Sequence, residues 1–387
     1  MRPSPRPRRR AFDISAVAIF LLAVGLPLYG LLFRTPGPLD ENRDRYTFPA
    51  ISTKRYALQA FPKHFEMYLG DRIGYREVLL RWQRQLVNGV LDEPVTKEAW
   101  VGKDGWIFIN QSDPLGGNPK HPSPAARVDR WIEAFEERNA WLKSQGIEYI
   151  VVFAPDKAAV YPEHLRGYPA RHPPLEMATP AAKILNERGV RCVNMLPAIL
   201  TEKPSNPHPL YHKTDSHWTH DGARAGYKEL SAAVAELFPE FRMQSDSGYD
   251  FGTRVFGGDL RKIAGVAADQ PPEEVRIWHP RSTITIADAP DYFAVGQREE
   301  HLTHIKSTTA NQPAATGPET LVLQDSFGDH LLGFIWNDFR HVTRIGTYGM
   351  PLEAVRREKP RLVIQILVAR QLYWLGPVNP PEVKAAR

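Results

Sequence analysis

Two short runs constrain this chain more than any other feature. EYIVVFAP (148–155) and RLVIQILV (361–368) are strand-length and almost wholly apolar. A strand with one wet face alternates apolar and polar residues, whereas a continuous apolar run suits a parallel sheet covered by helices on both faces. The neighbouring segments fit that reading. A helical pattern at about 125–145 precedes the first run, with Val128, Trp131, Ile132, Phe135 and Leu142 on one face and Gly146 as its stop. The pairing recurs as a helix near Ala181–Arg188 followed by VRCVNM (190–195). It recurs late in the chain as LVLQ (321–324), a helical run Gly328–Phe339, HVTRIGT (341–347), a helix near Leu352–Arg357, and the second apolar run. The expected fold class is α/β, with a parallel sheet that closes only when residues 148–195 and 321–368 meet. Residues 245–310, rich in Gly, Asp and short β-like runs such as VRIWHP and STITIAD, read as an insertion. WVGKDGWIF (100–108) reads as a hairpin turning at Lys103–Gly105.

The N-terminus carries a different signal. Ile14–Phe33 contains 20 residues and no charge, which at ~1.5 Å per residue spans a ~30 Å hydrocarbon core. Arg2, Arg6, Arg8, Arg9 and Arg10 precede the run, and only Arg34 follows at once. The arginine-rich end is expected in the cytoplasm and the body on the far side of a bacterial inner membrane, in the periplasm. The run exceeds the ~7–15 residues of a signal-peptide core and no A-x-A site follows it, which favours an uncleaved anchor over a cleaved signal. The expected organisation is a basic tail (1–13), a transmembrane anchor (14–33), a linker and helical juxtamembrane segment (34–95), an α/β domain (96–377) and a short polar tail. In the juxtamembrane segment, Phe61, Phe65 and Leu69 recur at helical spacing, and Leu79, Leu80, Trp82, Leu86 and Val90 continue the pattern after Gly74.

Charge and cysteine content exclude several classes. The 49 basic residues outnumber the 44 acidic ones by the five arginines of the tail. The body is neutral, which argues against a nucleic-acid-binding domain. Cys192 is the only cysteine, so no internal disulfide, cysteine zinc cluster or thioredoxin-type pair can form.

Two clusters can carry chemistry. In YHKTDSHWTHDGA (211–223), Asp215 and His217 sit two apart, so in an extended segment they point the same way. Thr219 is placed to cap a helix with Ala223, Tyr227, Leu230, Val234 and Leu237 on its face. A histidine oriented by a carboxylate is the general-base half of a triad; an Asx-turn beside a partly buried histidine has the same residues. His212, Asp215, His217, His220 and Asp221 also form a set dense in metal ligands, but without a standard zinc spacing. In LVLQDSFGDHLLGF (321–334), Ser326 stands where a strand ends and a helix begins. That is the geometry of a nucleophile elbow, with helix N–H groups available to an oxyanion. An N-cap at Asp325 or Ser326 is the plainer reading of that position. Both clusters fall at strand or helix ends of one sheet, where α/β folds bind ligands. Lys157 reads as a solvated loop lysine, and Trp106 and Trp218 as packing residues.

Seven pieces make the chain recognisable: FPKHFEMYLGDRIGYR (61–76), GKDGWIF (102–108), APDKAAVYPEHL (154–165), TDSHWTHDGA (214–223), GGDL (257–260), LQDSFGD (323–329) and VARQL (368–372). In this order and spacing they resemble the exported SGNH-hydrolase-like proteins of the alginate O-acetyltransferase family, the AlgJ and AlgX type. The resemblance implies a three-layer SGNH-hydrolase-like sandwich, circularly permuted because the D-x-H-W pair precedes the serine. It implies Asp215, His217 and Ser326 as the triad, and an acetyl-serine route by which an O-acetyltransferase modifies an exported polysaccharide, alginate or similar. It also implies that a separate membrane-bound O-acyltransferase supplies the acetyl groups. Gln324 departs from the family, which often has Gly there. Arg370 is the candidate substrate-binding residue. No cofactor or catalytic metal is expected. A carbohydrate acetylesterase with the same triad and a non-catalytic component of an export complex are the alternatives.

Overall fold

The structure, a computed structural model, describes residues 7–33, 45–49, 55–84, 86–87, 98–110, 123–167, 170, 176–266, 270–289 and 308–386. The chain divides into two compact units, Met1–Trp100 with Arg261–Pro271, and Val101–Leu260 with Pro272–Arg387.

The strands of the chain number β1 (Ala99–Val101), β2 (Ile107–Ile109), β3 (Glu148–Ala154), β4 (Cys192–Asn194), β5 (Tyr249–Phe256), β6 (Glu273–Pro280), β7 (Thr285–Asp288), β8 (Thr308–Asn311), β9 (Thr320–Gln324), β10 (His341–Gly346) and β11 (Leu362–Val368), and the second unit is built on β2 to β11. The main sheet has the order β4-β3-β11-β9-β10-β8-β7. From β4 to β10 all neighbours are parallel; β8 and β7 extend the β10 edge antiparallel. The two apolar runs are β3 and β11, paired side by side from Glu148↔Leu362 to Ala154↔Val368. Both are covered on two faces, and from Tyr149 and Leu362 onward every residue is buried. Tyr149, Val151 and Phe153 face a cluster with Trp131, Phe135, Leu185 and Val355, from helices Pro124–Ser144, Ala178–Glu187 and Leu352–Glu358. Helix His220–Leu237 contacts β3 and β4, and helix Gly328–Asp338 contacts β10. The unit is therefore a mixed α/β sandwich with a mostly parallel sheet.

Local signals explain the element ends. Ser123 caps the first of these helices, its hydroxyl accepting from the Ala126 N–H at 3.2 Å, and Pro124 follows as its first residue. Thr219 caps helix His220–Leu237 through the Gly222 N–H. A Cβ at Gly222 would stand 2.0 Å from the Leu210 carbonyl, so this helix can pack against that loop only with glycine there. The segment read as an insertion contributes an antiparallel ribbon, β5 with β6, and then β7 and β8 of the main sheet; residues 290–307 lie outside the described ones.

The polar segment after residue 377 is part of the fold. Val383 is fully buried and Asn379 nearly so. Arg138, wholly inaccessible, joins this segment to β11: its Nε donates to Asn379 Oδ1 at 2.6 Å and its Nη1 to Gln365 Oε1 at 2.7 Å.

In the first unit, helix Pro7–Phe33 contains the apolar run Ile14–Phe33, the one described helix long and apolar enough to cross a membrane. Helices Arg55–Gly70 and Arg76–Arg84 follow, separated by a turn in which Tyr75 takes a positive φ of 61°. Phe61 and Phe65 stack at 5.7 Å, and Phe48 packs edge-on against both. Within the expected linker and juxtamembrane segment (34–95), residues 34–44, 50–54, 85 and 88–95 lie outside the described ones.

Removing the Arg138 guanidinium would take away the donor to Asn379 Oδ1 and one of the two donors to Gln365 Oε1, which also accepts from the Tyr149 hydroxyl. Arg138→Ala is expected to lower the unfolding free energy by about 3 kcal/mol in denaturant titration; a loss below about 0.5 kcal/mol, the scale of a surface substitution, would show that this network is not holding the segment.

Candidate active site

The parallel strands converge their C-terminal ends on one edge. β9 leads into Asp325 and Ser326, β3 into Asp156 and Lys157, and β11 into Ala369 and Arg370. The loop 210–219 faces this edge and is closed on itself: His212 N–H donates to the His217 carbonyl at 3.2 Å and Thr219 N–H to the Leu210 carbonyl at 3.0 Å. Trp218, fully buried, ties the loop to the serine turn by donating from Nε1 to the Phe327 carbonyl at 3.1 Å. Trp106 is also buried, stacked with His164 at 4.7 Å, so both tryptophans are packing residues.

The three residues of the expected triad meet. His217 Nε2 lies 2.8 Å from Ser326 Oγ, and His217 Nδ1 lies 2.6 Å from Asp215 Oδ1. Asp215 Oδ1 also accepts from the His217 N–H at 2.9 Å, and Oδ2 accepts from the Asp259 N–H at 3.1 Å. Burial works against the Asp215 charge, but the bonds and charge of His217 outweigh it and hold the carboxyl below its ordinary range. With Asp215 ionised, the Nδ1 proton is fixed on the carboxylate side, which leaves Nε2 free to take the serine proton. The His217 ring lies 4.8 Å from that of Phe327 and 6.1 Å from that of His330.

Three further histidines surround this base. Burial pushes His212 and His220 down to about 4 and His330 to about 2, so all three are neutral at physiological pH. His212 packs on Phe256 at 4.4 Å, and His220 Nδ1 accepts from the Trp278 N–H. Asp221 accepts from Trp278 Nε1 and pairs with Arg276. In the ligand-dense segment 212–221, Asp215 and His217 thus bond in line with Ser326, while these neighbours pack and bond with β5 and β6.

The serine turn differs from the sequence expectation in its free donors. The Asp325 carboxylate accepts from the Phe327 N–H at 2.9 Å and from the Val368 N–H at 2.8 Å. The Gly328 N–H bonds to the Asp325 carbonyl and the Asp329 N–H to the Ser326 carbonyl. These first N–H groups of the helix are engaged. The Ser326 N–H has no acceptor among the described residues, so it is a donor left open on the residue that carries the attacking oxygen. Gln324 has a packing role: a Cβ on Gly328 would meet its side chain at 2.3 Å, and its Nε2 donates to Asp329 at 2.8 Å.

Lys157 overturns the expectation of a solvated loop lysine. It is only 4% exposed, and its Nζ donates to the carbonyls of His212 (3.1 Å), Lys213 (3.1 Å) and Asp215 (2.6 Å). From the other side, the Glu273 carboxylate accepts from the Lys213 N–H, the Thr214 N–H and the Thr214 hydroxyl at 2.9–3.1 Å. An ammonium holds the carbonyls and a carboxylate holds the amides of the strip that carries Asp215. Burial pushes the Lys157 ammonium down to about 7, opposed by the Asp215 and Glu273 charges. Arg370 is buried too. Its guanidinium pairs with Asp156 and lies 5.1 Å from the Phe327 ring centre. With Phe108, Ile109, Lys157 and Ser216, Arg370 lines a small cavity beside the triad. Lys157→Met would remove all three donors while keeping side-chain length. It is expected to slow covalent labelling of Ser326 by a sulfonyl fluoride roughly 10²-fold, the scale of a 1 Å misplacement; labelling at the wild-type rate would show that the strip holds its geometry unaided.

Comparisons with known proteins place this geometry. A family model described as SGNH hydrolase-like domain, acetyltransferase AlgX, matches residues 99–297, just over half of the chain, including Asp215 and His217 and ending before Ser326. A curated relative, the probable alginate O-acetylase AlgJ of Pseudomonas fluorescens, is 25% identical over 146 residues, covering 36% of this chain and 34% of that protein. The match thus spans about a third of the relative's length. Among solved structures, Bacillus cereus PatB1 superposes with a TM-score of 0.51 at 15% identity, over 70% of this chain and 95% of that one. A DHHW family protein from Eubacterium siraeum does so with 0.50 at 14% identity, over 72% and 95%. These two likenesses are of fold. The chain belongs to the family of SGNH hydrolase-like domains of the acetyltransferase AlgX type.

Proposed function

We propose that this chain is a polysaccharide O-acetyltransferase that works through an acetyl-Ser326 intermediate. The observation that carries the reading is the unbroken line Asp215–His217–Ser326, with contacts of 2.6 and 2.8 Å, in a member of this family. Asp215 orients His217. His217 Nε2 takes the proton of Ser326 Oγ as that oxygen attacks the acetyl carbonyl of the donor, and the Ser326 N–H faces the oxyanion. Collapse breaks the bond to the donor group, which leaves with the proton from His217. A sugar hydroxyl then gives its proton to the same imidazole, attacks acetyl-Ser326 and carries the acetyl group away, restoring the free serine.

The same reading places the chain as a single-pass protein of a bacterial inner membrane, with Ile14–Phe33 as anchor and the α/β unit in the periplasm. Acetyl-CoA is confined to the cytoplasm, and the sequence has no P-loop or dinucleotide fingerprint to hold a nucleotide. A membrane-bound O-acyltransferase that hands acetyl groups across the bilayer is therefore the proposed partner. The acceptor is an exported polysaccharide, alginate or similar, and Arg370 in the cavity wall is the proposed substrate contact.

The test uses the purified chain with a chromogenic acetyl ester as donor and oligosaccharides as acceptors. Acetylated oligosaccharide is expected, and Ser326→Ala is expected to lower its formation by about 10⁴-fold or more, as for removal of a triad member. Release of free acetate alone, whatever the acceptor, would indicate an esterase. Transfer unchanged in Ser326→Ala would overturn the reading.

A further inference from the structure

We propose that helix Arg76–Arg84 is an interfacial membrane helix, lying in the non-cytoplasmic face of the bilayer beside the exit of the anchor. The inference rests on the reading of Ile14–Phe33 as a membrane span.

The start of this helix is fixed in depth against the anchor. Within the first unit, the Gly74 N–H donates to the Pro27 carbonyl at 3.3 Å. The backbones of Gly30 and Gly74 touch: a Cβ on Gly74 would stand 2.0 Å from Gly30 Cα, and one on Gly30 would stand 2.3 Å from Gly74 Cα. Only a glycine at each position permits that approach. Gly30 and Pro27 precede Phe33, the end of the apolar run, by about 4.5 and 9 Å of helix rise. The chain entering Arg76–Arg84 is thus held at the boundary between lipid tails and headgroups, where amphipathic helices bury their apolar faces.

The helix also presents an open apolar face. At 100° per residue, Val78, Leu79 and Trp82 fall within an arc of about 100°. All three are exposed, Trp82 at 69%. Leu80, on the opposite side, is half-buried, so the helix already turns one apolar residue inward while its larger apolar arc points outward. Arg81 and Gln83, on either flank of the arc, are exposed. Arginine at the margin of an apolar face and tryptophan within it match the headgroup level of a bilayer, where an indole has one apolar and one polar side. A stripe of this composition facing water would be an unpaired apolar patch. The anchor's Tyr29 and Phe33 rings, 5.0 Å apart, mark the same end of the span.

The test reads depth residue by residue on the full chain in liposomes of phosphatidylethanolamine and phosphatidylglycerol. Cys192, the single native cysteine, is replaced by alanine, and a nitroxide is attached through Val78→Cys, Leu79→Cys, Arg81→Cys, Trp82→Cys or Gln83→Cys in turn. Leu22→Cys serves as the anchor control. Collision rates with oxygen, which dissolves in lipid, and with a water-soluble nickel chelate report position. Labels at 78, 79 and 82 are expected to favour oxygen as the label at 22 does, and labels at 81 and 83 to favour nickel. Nickel access equal at all five positions, with 22 in lipid, would overturn the interfacial helix and leave the anchor standing. Protection of 78, 79 and 82 from both reagents would show a protein cover in place of lipid and equally overturn it. A label at 22 open to nickel would overturn the anchor itself.

Discussion

The arrangement depends on the contact between His217 Nε2 and Ser326 Oγ, which joins residues 109 positions apart. Neither partner is held by its own element alone. Ser326 is presented by the turn after β9, fixed by the Asp325 carboxylate that binds both Phe327 and Val368 at the end of β11. His217 is presented by a closed loop, fixed by Trp218 bonding to the Phe327 carbonyl. Because β9, β11 and β3 are adjacent parallel strands, any slip between them would move both sides of the contact. The hydrophobic burial of β3 and β11 is in this sense what sets the distance between His217 and Ser326.

Charge around that contact is managed by pairing. Lys157 and Glu273 grip opposite edges of the strip before Asp215, Arg370 is matched by Asp156, and three buried histidines stay neutral. The result is that Asp215 is the anion closest to His217, at 2.6 Å. An imidazole bonded to one carboxylate and flanked by neutral rings keeps a defined tautomer, which general-base catalysis at a serine requires.

Much of this was legible in the residues. The parallel core followed from two uninterrupted apolar runs, and the triad from two short clusters at element ends. Helix ends were marked by Thr219 and Gly146. Most of what escaped was set by residues distant in the chain. Lys157 looks like a loop lysine until the strip 212–215, more than 50 residues on, lays its carbonyls across it. The helix N–H groups near Ser326 look available until Asp325 turns its own side chain onto Phe327. The segment after 377 reads as a polar tail because its anchoring depends on Arg138 and on a single buried valine, Val383. The periodicity of residues 76–86 is helical on paper, but which arc is open appears only once Gly74 is seated against Gly30.

In the proposed reaction, Ser326 becomes acetylated. The direct measurement is rapid-quench mass spectrometry of the purified chain mixed with a chromogenic acetyl ester. The peptide carrying Ser326 should gain the mass of one acetyl group within the first turnover and lose it when an oligosaccharide acceptor is added. His217→Ala should abolish the gain. Full-rate transfer of acetyl to the acceptor with no adduct at Ser326 at any time point would contradict the account.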